Sequence, residues 1–379
     1  MLYQPPLPPR YSQLSERQLQ AGIAQFKRLL GNRLVILGHH YQQDEIIAFA
    51  DFTGDSLKLS QLAAEQTQAE FIVFCGVHFM AESADILSSD AQQVILPDLA
   101  AGCSMADMAT LDQVETAWAN LTQHTQVPII PITYVNSLAD IKAFVGQHDG
   151  ACCTSSNARA VLEWALQGIQ PSDSPDRGRK VMFLPDQHLG RNTAYVLGWP
   201  LESMALYDPY QPQGGLTPEQ VRQARFILWK GHCSVHQLFD VKQVETLRAR
   251  PEPYRILVHP ECPWEVAVRS DLMGSTEYIV RTVRDAPAGS YWAIGTEVHL
   301  VNRLANTYPD KTIRSLADVQ CLCTTMYRID LKHLYWTLEN LAAGQVVNRI
   351  MVDDQVKRWS RVALDRMLEL RPTRPAPVR

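Results

Sequence analysis

An apolar run that stops abruptly in polar side chains occurs three times in this chain, and nothing else in it constrains the fold as tightly. The first is Leu34-Val35-Ile36-Leu37, followed by Gly38-His39-His40-Tyr41. The second is Pro128-Ile129-Ile130-Pro131-Ile132, followed by Thr133-Tyr134-Val135-Asn136. The third is Tyr254-Arg255-Ile256-Leu257-Val258, followed by His259-Pro260-Glu261-Cys262. Short apolar runs without alternation suit strands covered on both faces, as in a parallel sheet. Polar groups at the carboxyl end of such a strand stand where open α/β sheets hold their ligands.

Each copy continues into a hydroxyl-bearing turn: Gly54-Asp55-Ser56, then Cys153-Thr154-Ser155-Ser156, then Gly274-Ser275-Thr276. Each then reaches a cysteine beside a second turn: Cys103, Cys233 and Cys323. Cys103 follows His39 by the same interval as Cys323 follows His259, while the middle copy is longer. Residues 191–222, with several Pro and Gly, read as a loop and account for the excess. A period this long lies outside solenoid repeats. The fold expected is α/β, three homologous αβα domains with parallel sheets, because helical patterns alternate with the strands.

The expected boundaries are an N-terminal arm over 1–20, a first domain over 21–112, a second over 113–245 and a third over 246–324. Helices within 325–370 have no evident counterpart after Cys103 and are expected to pack back on the first domain. Residues 371–379 read as a disordered tail.

With 379 residues, 46% of them hydrophobic and 20% charged, the chain can bury sizeable cores. A formal net charge of −5 calls for neither nucleic acid nor an anionic membrane as partner. No apolar run reaches membrane-span length, and a cytoplasmic location is expected. Eight cysteines in such a chain argue against a disulfide framework. Cys75 and Cys152 sit in apolar surroundings and read as core residues.

Three cysteines, one per repeat, could converge on one metal centre. Structural zinc usually takes four ligands in close pairs. Three isolated thiolates suit a cubane iron–sulfur cluster with one iron left open, a departure from four-cysteine ligation. By spacing alone, three unrelated core or turn cysteines are the stronger reading. The hydroxyl turns admit two readings as well. Ser56, Ser155, Ser275 and Thr276 at helix starts can be simple N-caps, worth about 1 kcal/mol each. The same geometry binds carboxylate or phosphate. His39, Tyr41, Tyr134, Asn136, His259 and Glu261 are candidates for proton transfer and substrate hydrogen bonds. No Walker loop, no GxGxxG after a strand and no GxSxG elbow is present.

The ordered motifs resemble those of the quinolinate synthase family. They are Gly38-His39-His40-Tyr41-Gln42, Gly54-Asp55-Ser56-Leu57, Gly102-Cys103-Ser104-Met105-Ala106-Asp107, Tyr134-Val135-Asn136-Ser137 and Thr154-Ser155-Ser156. Leu184-Pro185-Asp186-Gln187, Gly231-His232-Cys233-Ser234-Val235-His236, His259-Pro260-Glu261, Gly274-Ser275-Thr276 and Cys323-Thr324-Thr325-Met326 follow in order. The resemblance covers about residues 20–370. It implies a pseudo-threefold, triangular arrangement of the three domains around a [4Fe–4S] cluster on Cys103, Cys233 and Cys323. It implies a transferase-type synthase in NAD biosynthesis that condenses iminoaspartate with dihydroxyacetone phosphate to quinolinate, with loss of phosphate and two waters.

The residues matched to substrate contact are His39, Tyr41, Ser56, Tyr134, Asn136, Ser155, His259, Glu261, Ser275 and Thr276. Glu261 would be the general base, with Tyr41 and His259 assisting. A transient handover contact with L-aspartate oxidase is compatible with that reading. Two departures stand out. Some members carry Cys-x-x-Cys-x-x-Cys where this chain has Cys321-Leu322-Cys323, so Cys321 is an alternative ligand. Cys262 stands where many members have Ser. A zinc-dependent aldolase or lyase, or a non-catalytic metal-binding module, are the competing readings.

Overall fold

The computed structural model describes residues 2–319 and 321–370. The expected tail over 371–379 lies outside the described residues. The described chain forms two compact units: the chain up to Cys103 with Leu322–Asp354, and Ser104–Cys321 with the chain from Gln355.

In the first unit, helix α1 (Glu16–Leu30) precedes the first copy. A capping box between Ser15 and Gln18 starts it, and it buries Leu19, Ile23 and Leu30. The copy then runs β1 (Leu34–His39), α2 (Asp44–Ile47), β2 (Phe52–Gly54), α3 (Ser56–Glu65), β3 (Phe71–Cys75), α4 (His78–Leu87) and β4 (Gln93–Ile95). The four strands are parallel in the order β4-β3-β1-β2.

In the second unit, α5 (Leu111–Gln123) leads to the second copy. It comprises β5 (Ile129–Tyr134), α6 (Ala139–Gln147), β6 (Ala151–Cys153), α7 (Ala158–Leu166), β7 (Lys180–Leu184), α8 (Gln187–Val196), β8 (Met204–Tyr207), α9 (Pro218–Gln223) and β9 (Phe226–Trp229). After α10 (Val241–Arg248), the third copy runs β10 (Arg255–Val258), α11 (Trp264–Ala267), β11 (Leu272–Met273), α12 (Thr276–Asp285), β12 (Tyr291–Gly295), α13 (Val298–Thr307) and β13 (Thr312–Ser315). The parallel orders are β6-β5-β7-β9-β8 and β11-β10-β12-β13. Strands β3, β5 and β7 are buried at every position, which is why their sequences carry no alternation.

The stretch 191–222 is therefore not a loop. It finishes α8 and supplies β8, which pairs in parallel with β9 as an extra edge strand, and then α9. Two buried cations tie the end of this stretch to the turn before β7. Lys180 Nζ donates to the carbonyls of Pro175, Arg222 and Ala224, and Arg225 donates to those of Arg177, Arg179 and Ser174. The Pro and Gly content read as loop reflects turns between short elements, and carbonyls satisfied by side chains replace a regular ladder.

The third copy is followed by α14 (Leu331–Ala342), β14 (Arg349–Ile350) and α15 (Asp354–Glu369). In the first unit α14 packs on α1, and Tyr335 meets Phe26 edge-on at 5.3 Å. The N-terminal arm is anchored there too: Tyr11 is buried and its hydroxyl donates to Glu339 at 2.5 Å. The short β14 adds antiparallel to β4. Helix α15 behaves differently from the expectation for 325–370, because it packs on the second copy. Ser360 donates to the carbonyl of Ala139, and Asn157 donates to those of Met367 and Leu370. Gly146 lets the two backbones approach, since a Cβ there would run into the carbonyl of Trp359.

Candidate active site

The register of the parallel sheets brings the strand ends and hydroxyl turns together within each copy. His39 pairs with Gly54, two residues before Ser56. Tyr134 pairs with Cys153, two residues before Ser155, and the Val135 amide donates to the Cys153 carbonyl at 2.7 Å. Val258 pairs with Met273, two residues before Ser275.

Capping separates the three turns. Asp55, not Ser56, caps α3, with its side chain accepting from the Lys58 amide. In the second turn the Asn157 side chain accepts from the Thr154 amide at 2.8 Å, which leaves Ser155 out of the turn's own bonding. Only Ser275 acts as a cap, accepting from the Tyr278 amide. Thr276 is buried as the first residue of α12. Ser56 and Ser155 are thus not explained by capping.

In the second unit, Glu261 is the centre of a buried polar group. It is 3% exposed, and Oε2 lies 2.9 Å from His236 Nδ1 and 3.0 Å from His259 Nδ1. The two imidazoles stack at 4.5 Å with planes 16° apart. His236 Nε2 bonds Thr296 Oγ1 at 3.2 Å, and His259 Nε2 bonds Ser155 Oγ at 3.1 Å. Glu261 Oε1 is buried without a hydrogen-bond partner. Burial alone would raise the Glu261 carboxyl, but the charges of His236 and His259 outweigh it and hold it below the usual carboxylate range. Ser155 and Ser275 line one cleft together with Ser156, Thr193 and Arg159. Asn136 stands half-buried at the end of β5, with Oδ1 lacking a partner.

In the first unit, His39 is buried and Tyr41 half-buried at the end of β1. Their rings meet edge-on at 4.7 Å, and the Tyr41 amide donates to His39 Nδ1 at 3.1 Å.

The three matched cysteines share one local structure. Each precedes a two-residue turn and a 3₁₀ helix: Ala106–Met108, His236–Leu238 and Met326–Arg328. A side-chain cap at the same offset then starts a helix, Thr110 for α5, Asp240 for α10 and Asp330 for α14. The helix α14 therefore does have its counterpart after Cys103, in α5. Two residues before each cysteine, a carbonyl accepts from the first amide of a helix: His78 to Ala101, Gln187 to Gly231 and Val298 to Cys321. Cys321 thus takes the place of Ala101 and Gly231, and Cys323 the place of Cys103 and Cys233. Cys103, Cys233 and Cys323 are half-buried, whereas the other five cysteines are buried. Burial pushes Cys75 and Cys152 up to about 12 and Cys321 up to about 11.

The chain matches the family model described as quinolinate synthetase A protein over residues 21–369. The chain belongs to the quinolinate synthetase A family. It is 55% identical over 365 residues to a quinolinate synthase of Acidobacterium capsulatum, covering 95% of each chain. It is 55% identical to the quinolinate synthase of Anoxybacillus flavithermus over 96% of each chain. Against that of Rhodopirellula baltica it is 52% identical over 97% of this chain and 94% of the other. No described helix is long and apolar enough to cross a membrane.

Within this family frame the structure adds two residues that the sequence reading passed over. His236 holds Glu261, and its signal was the Cys-x-x-His spacing from Cys233. Asp186, fully buried, caps α8 through the Leu189 amide, and the backbone amide of Cys233 acts to lower its pKa. Its carboxyl is pushed well up by burial and by the charge of Glu261. Together with the Asp186–Gly231 bridge, it stitches the Leu184-Pro185-Asp186-Gln187 motif to the Cys233 turn.

Proposed function

We propose that this chain makes quinolinate from iminoaspartate and dihydroxyacetone phosphate, releasing phosphate and two waters, in the cytoplasmic synthesis of NAD from aspartate. The observation that carries the reading is the run Glu261–His259–Ser155 in the second unit, which leads from a buried carboxylate to a hydroxyl on the wall of a cleft. Glu261 is ionised at neutral pH and has one oxygen unengaged, as a proton acceptor requires. A carboxylate held this low is a weak base by itself. Oε2 is shared with His259 Nδ1, so Glu261 and His259 work as one unit. Tyr41 supplies a second proton-transfer group.

Tyr134 and Asn136 orient the substrate, and the unpartnered Asn136 Oδ1 suits a substrate donor. His39, Ser56, Ser155, Ser275 and Thr276 hold carboxylates and phosphate, helped in the cleft by Arg159 and the amides that open α7 and α12. Cys103, Cys233 and Cys323 would hold a [4Fe–4S] cluster, and their shared local structure and partial exposure support that set over Cys321. When bound, the cluster's open iron supplies Lewis acidity for the dehydrations. Condensation adds the four carbons and nitrogen of the imine to the three carbons of the triose. Protons leave carbon and reach departing oxygens, which is the traffic Glu261, His259 and Tyr41 can carry.

The test is an anaerobic assay for quinolinate with the two substrates, run on the wild-type chain and on Glu261→Gln. Wild type should form quinolinate, and the variant should keep its iron and lose turnover. Activity within a few-fold of wild type in Glu261→Gln would overturn the assignment of the base.

A further inference from the structure

The equivalent turns differ at one position that matters for metals. Three residues past the cysteine, the first copy has Ala106 and the third Met326, but the second has His236. Only the second turn therefore places an imidazole one 3₁₀ turn from its thiol. The sulfur of Cys233, a ring nitrogen of His236 and a carboxylate oxygen of Glu261 lie within 4.8 Å of one another. Donors around a tetrahedral zinc ion lie roughly 3.2–3.7 Å apart, so side-chain adjustments of about 1 Å would close the set. A separate observation points to a missing ligand there. Glu261 Oε1 is buried without a partner, while Oε2 already serves two imidazoles. A buried carboxylate oxygen in that position is costly unless something engages it.

We propose that Cys233, His236 and Glu261 form a second, mononuclear site for a zinc-class divalent cation, filled when the chain carries no iron–sulfur cluster. The donor set selects the ion. One thiolate with one imidazole and one carboxylate suits borderline cations and disfavours magnesium and calcium, which prefer all-oxygen shells. Three protein ligands leave a fourth position for water. Binding releases the Cys233 thiol proton and the His236 Nδ1 proton to solvent, so His236 binds as the neutral imidazole with its far nitrogen held by Thr296. Because Cys233 cannot serve both groups, zinc here competes with cluster assembly. That last consequence rests on the proposed function, whereas cation binding to the cluster-free chain does not.

The experiment uses the full chain freed of iron and sulfide under anaerobic conditions and titrated with Co²⁺. One equivalent should give four-coordinate d–d bands and a single thiolate-to-cobalt charge-transfer band, both displaced by zinc. Cys233→Ser should abolish the charge-transfer band. His236→Ala and Glu261→Gln should each weaken cobalt binding at least about 10-fold, in the range seen when metal-site partners are removed. Cys103→Ser and Cys323→Ser should leave it unchanged. If His236→Ala does not fold, as judged by circular dichroism, His236→Asn takes its place. One equivalent of zinc should slow cluster reconstitution in wild type and not in the His236 variant. Equal weakening by Cys103→Ser or Cys323→Ser, indifference to the His236 change, or no stoichiometric binding would each overturn the site. If cobalt binds as expected but zinc does not slow reconstitution, the site stands and the competition is overturned, while the iron content of the Cys233 variant tests the proposed cluster separately.

Discussion

The first and third copies share a frame yet end their leading strands in different chemistry. In β1 the Ile36 amide donates to the Asp51 carboxylate at 2.8 Å, and Asp51 pairs with Lys27 at 2.7 Å. In β10 the Ile256 amide donates to Asp271 at 2.6 Å, and Asp271 pairs with Arg248 at 2.9 Å. The strand then ends in a His whose Nδ1 lies against the amide two residues on, that of Tyr41 in one copy and Glu261 in the other. Up to that point the two are alike. Beyond it, the first copy presents a phenol against an imidazole, and the third a carboxylate between two imidazoles. The repeat fixes where a polar side chain is delivered, and the identity of one residue sets the chemistry it presents.

The largest effects should separate those ends. Glu261→Gln should lower quinolinate formation by about 10³-fold, and Tyr41→Phe by roughly 10-fold, as expected for a principal and an assisting proton-transfer group. Steady-state assays with iron content measured alongside check this, and equal losses would mean that the two copies are not specialised as described. Next comes the turn that carries Cys233. A Cβ at Gly231 would meet the Pro185 carbonyl, so Gly231→Ala should cost about 1–3 kcal/mol, read in thermal melts of the cluster-free chain.

The shared frame should respond evenly. Asp51→Asn and Asp271→Asn each weaken a charged acceptor of a strand amide and an ion pair, and each should cost about 1–2 kcal/mol. Denaturant melts showing one costly and the other neutral would break the equivalence of the copies. The smallest effect is chemical. Because burial pushes Cys75 and Cys152 up to about 12, both stay protonated at pH 8 and gain reactivity only as pH rises toward that value. Iodoacetamide applied to the native cluster-free chain should label Cys103, Cys233 and Cys323 and spare those two, as mass spectrometry would show.

Much of this was legible in the sequence because parallel strands buried on both faces leave an unalternating apolar signature. Leu34–Leu37 and Ile256–Val258 are examples, and the turn after each is marked by Gly and Ser. What was not legible depended on contacts remote in sequence. The stretch 191–222 read as loop because short elements joined by Pro and Gly have no periodicity to detect, yet pairing with β9 makes residues 204–207 a strand. Helix α15 carries an amphipathic pattern that says it packs but not on what. Its partner is set by Gly146 and Asn157, far upstream. His236 was hidden for the same reason: only the fold shows that its ring reaches Glu261.

The most direct test of the central claim, that one cysteine from each copy builds a single cluster, is iron and acid-labile sulfide content on chain purified without oxygen. Wild type and Cys321→Ala should each contain about four iron and four sulfide per chain. Cys103→Ala, Cys233→Ala and Cys323→Ala should each lose them. A full complement of iron and sulfide in Cys323→Ala, or none in wild type after careful reconstitution, would contradict the account.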